Sequence, residues 1–402
     1  MYATEVLYYS SVASRWPRQL ATEAHHSKTK MLLVAAALLF TPSAQVMRTR
    51  QHFSSLNSVQ EGERLTAESL SSFCVVANNA PATKKRKGGA TESLSTMPPL
   101  LDIGKLVRGT LIKRPSSTIR SPYVADVSLN RKGSDEVIAL AHAPALDVGG
   151  LCVAGSEVYL SVRSGEGKTS HAIELVRGAP LTNEASDKGV LVGAHPRLGE
   201  LIAQEVLKRG LLKDELILEN GLELGLVDND KIHLKQQVTI GDSRVDFQLT
   251  LSDNLSSHKV IAEVKNVVCA DYKSGTEPKK RDANHCVIVA HTSSSGEDYH
   301  RSALFPWGRK GQKFEGKPVV SERAIKHLRN LQSLKSNDVT AVVMFIVNRS
   351  DCESIRACGE QCPVFQEVLR EALQSGVKAV GVRVRWVDDG KCFFDGFVPV
   401  KA

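Results

Sequence analysis

The sequence predicts a chain of mixed α and β structure, with a small all-β module followed by an α/β module. Short strand-like segments separated by glycines fill residues 100–180, a pattern that is typical of small barrels and sandwiches. From residue 188 onward helix-like and strand-like segments alternate, and Ala341–Val347 is wholly apolar, as in a strand buried on both faces. The length of 402 residues fits about two domains.

The first 99 residues have the composition of a targeting extension and are expected to lie outside the folded domains. They hold 11 Lys or Arg against 6 Asp or Glu, which is +5 of the formal net charge of +8. Few acids indicate an organelle transit segment, for a plastid or a mitochondrion. The apolar run Met31–Phe40 is too short for a membrane span, so none is expected in the mature protein. The basic run Lys84–Lys87 indicates the nucleus as an alternative, and a plain disordered tail is the remaining one.

Residues 100–180 are predicted to form a small barrel or sandwich. Strand-like alternation or apolar character is strongest in Tyr123–Leu129, Val137–Ala141 and Glu157–Val162. Glycines lie between these segments and favour turns there. Several short strands at this spacing favour a closed or two-layered β structure over a single open sheet.

Residues 188–402 are predicted to form a sheet covered by helices. Pro196 and Gly210 bracket a helix over 197–209, since proline suits the first turn of a helix and glycine its end. The other expected elements are helices over 321–334 and 365–373, a hairpin of strands over 244–251 and 259–268, and closing strands over 377–387 and 391–400. The stretch of about 271–320, rich in Gly, Ser, Lys and Arg, is expected to form inserted loops.

One acidic and basic cluster lies in the predicted hairpin. Glu263 and Lys265 are two residues apart in a strand, so their side chains leave the same face, and Asp246 can lie opposite them on the neighbouring strand. Two carboxylates at close range need a cation between them, and such oxygen ligands suit Mg2+ or Mn2+. The ion would activate a water for attack on a phosphate, with Lys265 orienting that water or neutralising charge. The alternative is an exposed face with a structural Glu–Lys pair, which the apolar neighbours disfavour.

A third carboxylate is expected from the preceding helix. With Leu198 as the reference, Glu200 points away from the apolar face, whereas Glu205 falls near the middle of that face. A carboxylate in that position needs a partner, so Glu205 is predicted as an additional metal ligand. The alternative is an acid whose side chain reaches past the apolar face to water.

Residues 308–329 are basic and lie close to aromatic residues, as nucleic-acid contacts often do. They contain seven Lys or Arg residues against Glu315 and Glu322, and phosphate contacts need such residues. Phe305, Trp307 and Phe314 could stack on bases. They could equally pin the loop to the core, and a solvated helix face with a mobile loop is the simpler interpretation of the charges.

The order of these segments resembles the sugar fermentation stimulation protein family over about residues 100–400. The matching stretches are Leu111–Arg114, Val124–Asp126, His171–Leu175, Arg197–Leu198, Ser243–Phe247, Glu263–Lys265, Phe305–Pro306, Ser321–Arg323, Lys326–Arg329 and Gly376–Val377. The resemblance implies an N-terminal barrel like an OB fold, then a PD-(D/E)xK nuclease-like domain, and DNA binding. Asp246, Glu263 and Lys265 match the nuclease-type triad of the family. The basic residues of these stretches that are expected to contact nucleic acid are Arg114, Arg197, Arg244, Arg323, Lys326 and Arg329.

The chain departs from the family pattern at positions that bear on the metal site. The first-helix acid of the family would fall near position 201, which is Leu201 here. The tract His142–Gly149 stands where the family has Pro-Asn-x-Gly, and Trp307 and Gly308 stand where it has Asp-Ala. These differences affect the expected completeness of the metal site more than the expected fold.

The sequence therefore predicts a DNA-binding protein of this family that contacts mainly the phosphate backbone, with little sequence specificity. Residues 100–402 carry only +3, the difference between +8 and +5, so bulk charge does not support the prediction by itself. An active Mg2+- or Mn2+-dependent endonuclease that uses Asp246, Glu263 and Lys265 is the first alternative. A regulatory interaction module with a vestigial site is the second. No small-molecule cofactor is expected, and the oligomeric state stays open.

Overall fold

The computed structural model describes residues 97–402, apart from 130–136, 146–147, 166, 182–185, 214, 217, 219–223, 225–231, 242, 254–255, 278–286 and 291–298. All described residues belong to one compact unit. Nearly all of the predicted targeting extension lies outside the described residues, including Met31–Phe40 and Lys84–Lys87. No helix in the described ranges combines the length and apolar character that a membrane crossing requires.

Five strands close into a small barrel, as the sequence predicts. A two-residue strand, β1 (Leu101–Asp102), precedes them and belongs to another sheet. The barrel strands are β2 (Val107–Lys113), β3 (Val124–Leu129), β4 (Val137–His142), β5 (Glu157–Val162) and β6 (His171–Arg177). Their order is β4-β3-β2-β5-β6, and a parallel pairing of β4 with β6 closes the ring. A further strand, β7 (Leu191–Gly193), pairs with β6. The arrangement is OB-like.

Three helices and twelve strands follow the barrel in the described part of the chain. In chain order they are α1 (Arg197–Lys208), β8 (Ile232–Ile240), β9 (Ser243–Asp253), β10 (Ser256–Val267), β11 (Cys269–Ala270), β12 (Ser302–Phe305), β13 (Gln312–Phe314), β14 (Lys317–Val319), α2 (Glu322–Leu334), β15 (Val339–Val347), β16 (Ser354–Ala357), α3 (Pro363–Gln374), β17 (Lys378–Trp386), β18 (Lys391–Val398) and β19 (Val400–Lys401).

A mixed seven-stranded sheet of order β1-β18-β17-β15-β10-β9-β8 lies at the centre of this part. β15 pairs in parallel with β10 and β17, one on each side. Every residue of β15 after Val339 is buried, which explains why its sequence is wholly apolar. α1 packs on one face, where Leu198 joins the same core as Met344. α2 and α3 cover the other face, where Ile325 joins the same core as Phe345.

Local signals place the helix ends close to where the sequence predicts them. α1 begins directly after Pro196, and Gly210 follows its end at φ +65°, a backbone conformation that favours glycine. Ser321 caps α2, because its Oγ accepts the N–H of Ala324 at 3.2 Å. α3 has Pro363 at its first position.

The stretch of about 271–320 is only partly loop, which corrects the prediction. β12, β13 and β14 lie within it, and β12 belongs to a four-stranded sheet of order β11-β12-β16-β19. The last predicted strand is also divided, since β18 ends at Val398 and β19 joins this smaller sheet. The hairpin strands β9 and β10 extend further toward each other than expected. Strands of two to four residues carry too few positions for a periodic signal, so these elements escaped the prediction.

Candidate functional site

The site begins where two neighbouring strands of the large sheet separate. β9 and β10 pair along their length until Phe247 lies opposite Ala262, and the pairing stops there. Continued register would place Asp246 opposite Glu263. Instead, Asp246 Oδ2 accepts the N–H of Val264 at 2.8 Å. A side-chain carboxylate thus takes the place of a strand carbonyl, which directs Asp246 into the gap between the strands.

Glu263 and Lys265 lie on β10 beside this gap and are bound to each other. Lys265 Nζ donates to Glu263 Oε1 at 2.7 Å. Asp246, Glu263 and Lys265 are 6%, 3% and 8% exposed, so the three charged groups are held inside the protein. The structure therefore brings together the three residues that the sequence singled out, while their chemical role stays a prediction.

His327 on α2 is a further member of the cluster that sequence reasoning missed. Its Nδ1 contacts Glu263 Oε1 at hydrogen-bond range and lies 3.3 Å from Lys265 Nζ. Arg323 Nε donates to His327 Nε2 at 3.2 Å. Because Nε2 accepts that bond, the ring proton of a neutral imidazole is on Nδ1, from which it is donated to Glu263. The spacing of four residues between Arg323 and His327 on a helix was the available signal.

The two carboxylates experience opposite electrostatic environments. Burial, followed by the charges of Glu263 and Glu200, raises the pKa of Asp246 against the opposing effects of the Val264 N–H and Lys265. Burial would also raise the pKa of Glu263, but hydrogen bonds and charge from His327 and Lys265 outweigh it and lower that pKa. Asp246 is therefore the group with unmet demand for positive charge.

The helix acid that reaches the cluster is Glu200, which corrects the expectation for Glu205. Gln237 Nε2 lies 3.4 Å from both Glu200 Oε2 and Asp246 Oδ1 and so bridges them. Glu205 instead pairs with Lys208 and Arg209 of its own segment, at 3.3 and 3.4 Å. The prediction assumed a site beneath the apolar face of α1. The site lies beside the first turn of that helix, where an acid off the apolar face can reach it.

The donor set fits a hydrated divalent cation and not a closed metal cage. No group of three or more His, Cys, Asp or Glu in the described part of the chain has the geometry to hold a metal ion. Mg2+ and its analogues are commonly held by one or two carboxylates and keep several waters. Asp246 and Glu263 could supply two carboxylates, and Glu200 lies one bridging side chain away.

The six basic residues expected to contact nucleic acid fall into distinct settings. Arg244 is exposed, two residues from Asp246, and Arg323 binds His327, so these two lie at or next to the cluster. Lys326 and Arg329 form surface ion pairs with Glu322 at 2.7 Å and Glu371 at 2.5 Å. Arg114 and Arg197 belong to the barrel and its border. Arg114 donates to three backbone carbonyls and Arg197 to Glu174.

The aromatic residues near the basic segment pin it to the core. Phe305 makes edge contacts with Phe345 and Phe365, with ring centroids 5.9 and 5.3 Å apart. Trp307 and Phe314 pack against buried clusters. The exposed groups of this region are instead basic side chains around the β13–β14 hairpin: Arg309, Lys310, Lys313 and Lys317. That hairpin adjoins α2, because Gln312 Oε1 accepts the Glu322 N–H at 2.7 Å.

Comparison with known proteins finds similarity to one family. The sequence model of the family described as "Sugar fermentation stimulation protein RE domain" matches residues 319–390. A "Sugar fermentation stimulation protein homolog" from Syntrophotalea carbinolica is 24% identical over 299 residues, covering 73% of this chain and 96% of the relative. Its namesake from Microcystis aeruginosa is 27% identical over 289 residues, covering 71% and 91%.

A solved structure has the same overall arrangement. Pyrococcus furiosus SfsA in complex with Ca2+ superimposes with a TM-score of 0.50 at 16% sequence identity, covering 76% of this chain and 100% of that one. At this identity the likeness shows a shared fold. The family match, the relatives and the shared fold agree with one another: over most of its length the chain is similar to proteins of the sugar fermentation stimulation protein family.

Proposed function

We propose that this chain binds DNA and cleaves its phosphodiester backbone with the help of a divalent cation. The observation that carries the proposal is the convergence of Asp246, Glu263 and Lys265 in the gap between β9 and β10. Two buried carboxylates, one with a raised pKa, favour binding of a hard cation such as Mg2+ or Mn2+. The related Pyrococcus furiosus protein was solved in complex with Ca2+, another cation that prefers oxygen ligands.

Each residue of the cluster has a role in this proposal. Asp246 and Glu263 would hold the cation, and a cation there would supply an activated water and offset phosphate charge. Glu200, linked through Gln237, adds negative charge at the edge of the site. Lys265 keeps Glu263 ionised and stands beside the position of the attacking water. His327 and Arg323 fix the orientation of Glu263.

DNA binding rests on exposed basic groups at the border of the cluster. Arg244 lies on the same strand as Asp246, two residues before it. The basic β13–β14 hairpin adjoins the helix that carries Arg323. Lys and Arg at this density suit phosphate contacts, which are insensitive to sequence and weaken with salt. The proposal therefore keeps the expectation of low sequence specificity.

The test is cleavage of supercoiled plasmid by the full chain with Mn2+ or Mg2+, beside a gel-shift assay in EDTA. Asp246→Asn and Glu263→Gln are expected to lower the cleavage rate by about 100-fold or more while leaving the shift in place. Glu205→Gln on α1 is the matched control and should cleave at the normal rate. Cleavage that survives both site substitutions would show that another protein or another site is responsible.

Binding without cleavage is the second candidate, because one observation favours it. Lys265 and His327 both engage the same oxygen of Glu263, which restricts how that carboxylate can turn toward a cation. In that case the gel shift persists and the plasmid stays intact with either cation. Absence of both binding and cleavage at low salt would leave the regulatory module with a vestigial site.

A further inference from the structure

A second polar cluster lies on the outside of the barrel, at its border with α1. Glu174 of β6 is 1% exposed. Its Oε1 accepts from Ser161 Oγ and from Arg197 Nη2, both at 2.9 Å. His142 at the end of β4 and His195 just before α1 lie beside this carboxylate, with their ring centroids 6.5 Å apart. The cluster shares no residue with the acidic site on β9 and β10.

Two buried atoms of this region lack the hydrogen bond that each requires. Among the described residues, the buried side-chain nitrogen and oxygen atoms without a partner are Arg114 Nη1 and Glu174 Oε2. Both side chains act on the pKa of His142, so both lie near that ring. The guanidinium nitrogen needs an acceptor and the carboxylate oxygen needs a donor. Leaving such groups unpaired is costly. Two unpaired atoms with complementary needs, both on side chains near one imidazole, point to a ligand that offers a donor and an acceptor.

The chemistry of the cluster matches the edge of an unpaired nucleobase. Every base carries a donor and an acceptor side by side on its Watson–Crick edge, and carboxylate and guanidinium groups are the common partners of such edges. Histidine rings also stack on splayed-out bases. His142 and His195 are half-buried, so each presents part of its ring. The Arg197 side chain, which covers Glu174 from the outside, is 55% exposed.

The cluster is also placed to receive a nucleotide next to the acidic site. Arg197 and Glu200 are three residues apart on α1, which puts them on one side of its first turn. Arg197 binds Glu174, while Glu200 is linked through Gln237 to Asp246. The first turn of α1 therefore connects the two clusters.

We propose that Glu174, Arg114 and His142 form a subsite for one unpaired base of single-stranded DNA, beside the strand position held at Asp246 and Glu263. This subsite rests on the proposed function, since it needs DNA at the acidic site. It adds that the substrate must be single-stranded at the flanking nucleotide, because a paired base does not expose its Watson–Crick edge. Backbone contacts give affinity, and the subsite detects the presence of a base.

The experiment is fluorescence anisotropy with the full chain in EDTA and three labelled 12-nucleotide probes at fixed salt: an ordinary single strand, the same backbone with abasic sites throughout, and the duplex. The ordinary strand is expected to bind about tenfold more tightly than the abasic strand, and more tightly than the duplex. Equal affinity for ordinary and abasic strands overturns the subsite and leaves the proposed backbone binding intact. Absence of binding to all three probes at low salt overturns the proposed function and the subsite together.

Two variants locate the effect. Glu174→Gln keeps an oxygen toward Ser161 and Arg197 but puts an amide donor in the place of Oε2. The ratio of affinities for the ordinary and abasic strands should therefore fall toward 1, while the salt dependence of binding stays unchanged. His142→Ala removes an aromatic ring and leaves the Glu174 carboxylate in place. It should also reduce the preference for the ordinary strand over the abasic strand. Glu353→Gln, at an exposed position, is the matched control. If both variants melt like the wild type and keep the full preference, the two orphaned atoms share only a buried water, and the proposal is wrong.

Discussion

At the residue scale, Asp246 is a carboxylate whose negative charge the fold disfavours. It is 6% exposed, accepts the Val264 N–H and stands beside Glu263. Burial and these negative neighbours raise its pKa, so the ionised form is disfavoured relative to an exposed aspartate. A cation between the carboxylates would relieve both effects, which is why this residue is central to the proposed chemistry.

Asp246→Asn is expected to stabilise the fold at pH 7 in EDTA. Because the pKa is raised on folding, there is a pH range in which the native state still holds a proton that the unfolded chain has lost. Stability therefore falls as the pH rises from the ordinary aspartate value through the raised pKa. An amide avoids that loss, so the variant should melt at a higher temperature than the wild type at pH 7. Melts from pH 4 to pH 8 should show a gain that shrinks toward acid, and a lower melting temperature at pH 7 would contradict the argument.

Residue-level prediction worked where a strand sets the geometry. Glu263 and Lys265 share a face because alternate residues of any strand do, and the hairpin brings Asp246 to them. Glu200 and His327 were not predicted as members, because their proximity depends on how α1 and α2 dock on the sheet. No pattern within either helix encodes that docking.

At the scale of elements, α1 carries two acids with different surroundings. Glu200 is linked to the site through Gln237, whereas Glu205 pairs with Lys208 and Arg209 at the end of the same helix. Glu200→Gln is expected to weaken Mn2+ binding by about tenfold, since groups just outside the inner ligands of a metal typically have effects of this size. Glu205→Gln, on the same helix and with the same change in charge, should leave Mn2+ affinity unchanged. Isothermal titration with Mn2+ measures both. A larger loss of Mn2+ affinity in Glu205→Gln than in Glu200→Gln would show that Glu205 is the metal-binding acid of the helix, as the sequence predicts.

The close approach of α1 to β10 depends on Gly199. A Cβ at this position would lie 2.7 Å from Asn266 Cβ, a distance that forces helix and strand apart. Gly199→Ala should therefore lower the free energy of unfolding by about 1–2 kcal/mol in spite of the better helix propensity of alanine. Gly311→Ala is the control, because nothing lies within 4 Å of its added Cβ. Urea titrations compare the two, and a stabilised Gly199→Ala chain would refute the packing argument.

Elements with a strong period were predictable and short ones were not. The helices α1, α2 and α3 and the buried strand β15 each repeat their apolar pattern over nine or more residues. The strands β11, β12 and β16 contain two to four residues each. They are strands because they pair with each other or with β19, and no pattern in the sequence predicts that pairing.

At the scale of the whole molecule, a buried set of charges ties the exit of the barrel to the α/β part. Arg301 and Arg349 are fully buried and both bind Asp351, at 2.5 and 2.6 Å. Arg301 also donates to the carbonyls of Ala179 and Pro180, in the segment that leaves β6. Arg349 and Arg301 lower the pKa of Asp351 to about 2 against the effect of its burial. The buried charges are therefore paired, and removing one partner should lower the free energy of unfolding strongly.

Arg301→Met is expected to destabilise the fold by about 3 kcal/mol, because two carbonyls lose a donor and Asp351 loses one of its two arginines. Arg370→Met, at an exposed position, is the control and should change stability by less than about 0.5 kcal/mol. Guanidinium titrations followed by circular dichroism provide the free energies. A cost below about 1 kcal/mol for Arg301→Met would show that the two parts are joined mainly by apolar contacts.

The fold class of the described part of the chain followed from its sequence, whereas the contacts of Arg301 and Asp351 did not. Short glycine-separated strands and a later alternation of helices and strands are compositional signals of architecture. The pairing of Arg301 with Asp351 spans 50 positions and has no local pattern. Contacts between parts that are distant along the chain arise from tertiary packing, and no local sequence pattern predicts them.

The hydrogen bond from Val264 N–H to Asp246 has one more consequence. A carboxylate that gains a proton or a metal ion gives up electron density, and the resonance of the amide bound to it shifts accordingly. The nitrogen of one valine thus reports what the acidic site holds, with no change of overall conformation required. The chemical shift of the Val264 amide nitrogen would therefore be a spectroscopic probe of the state of Asp246.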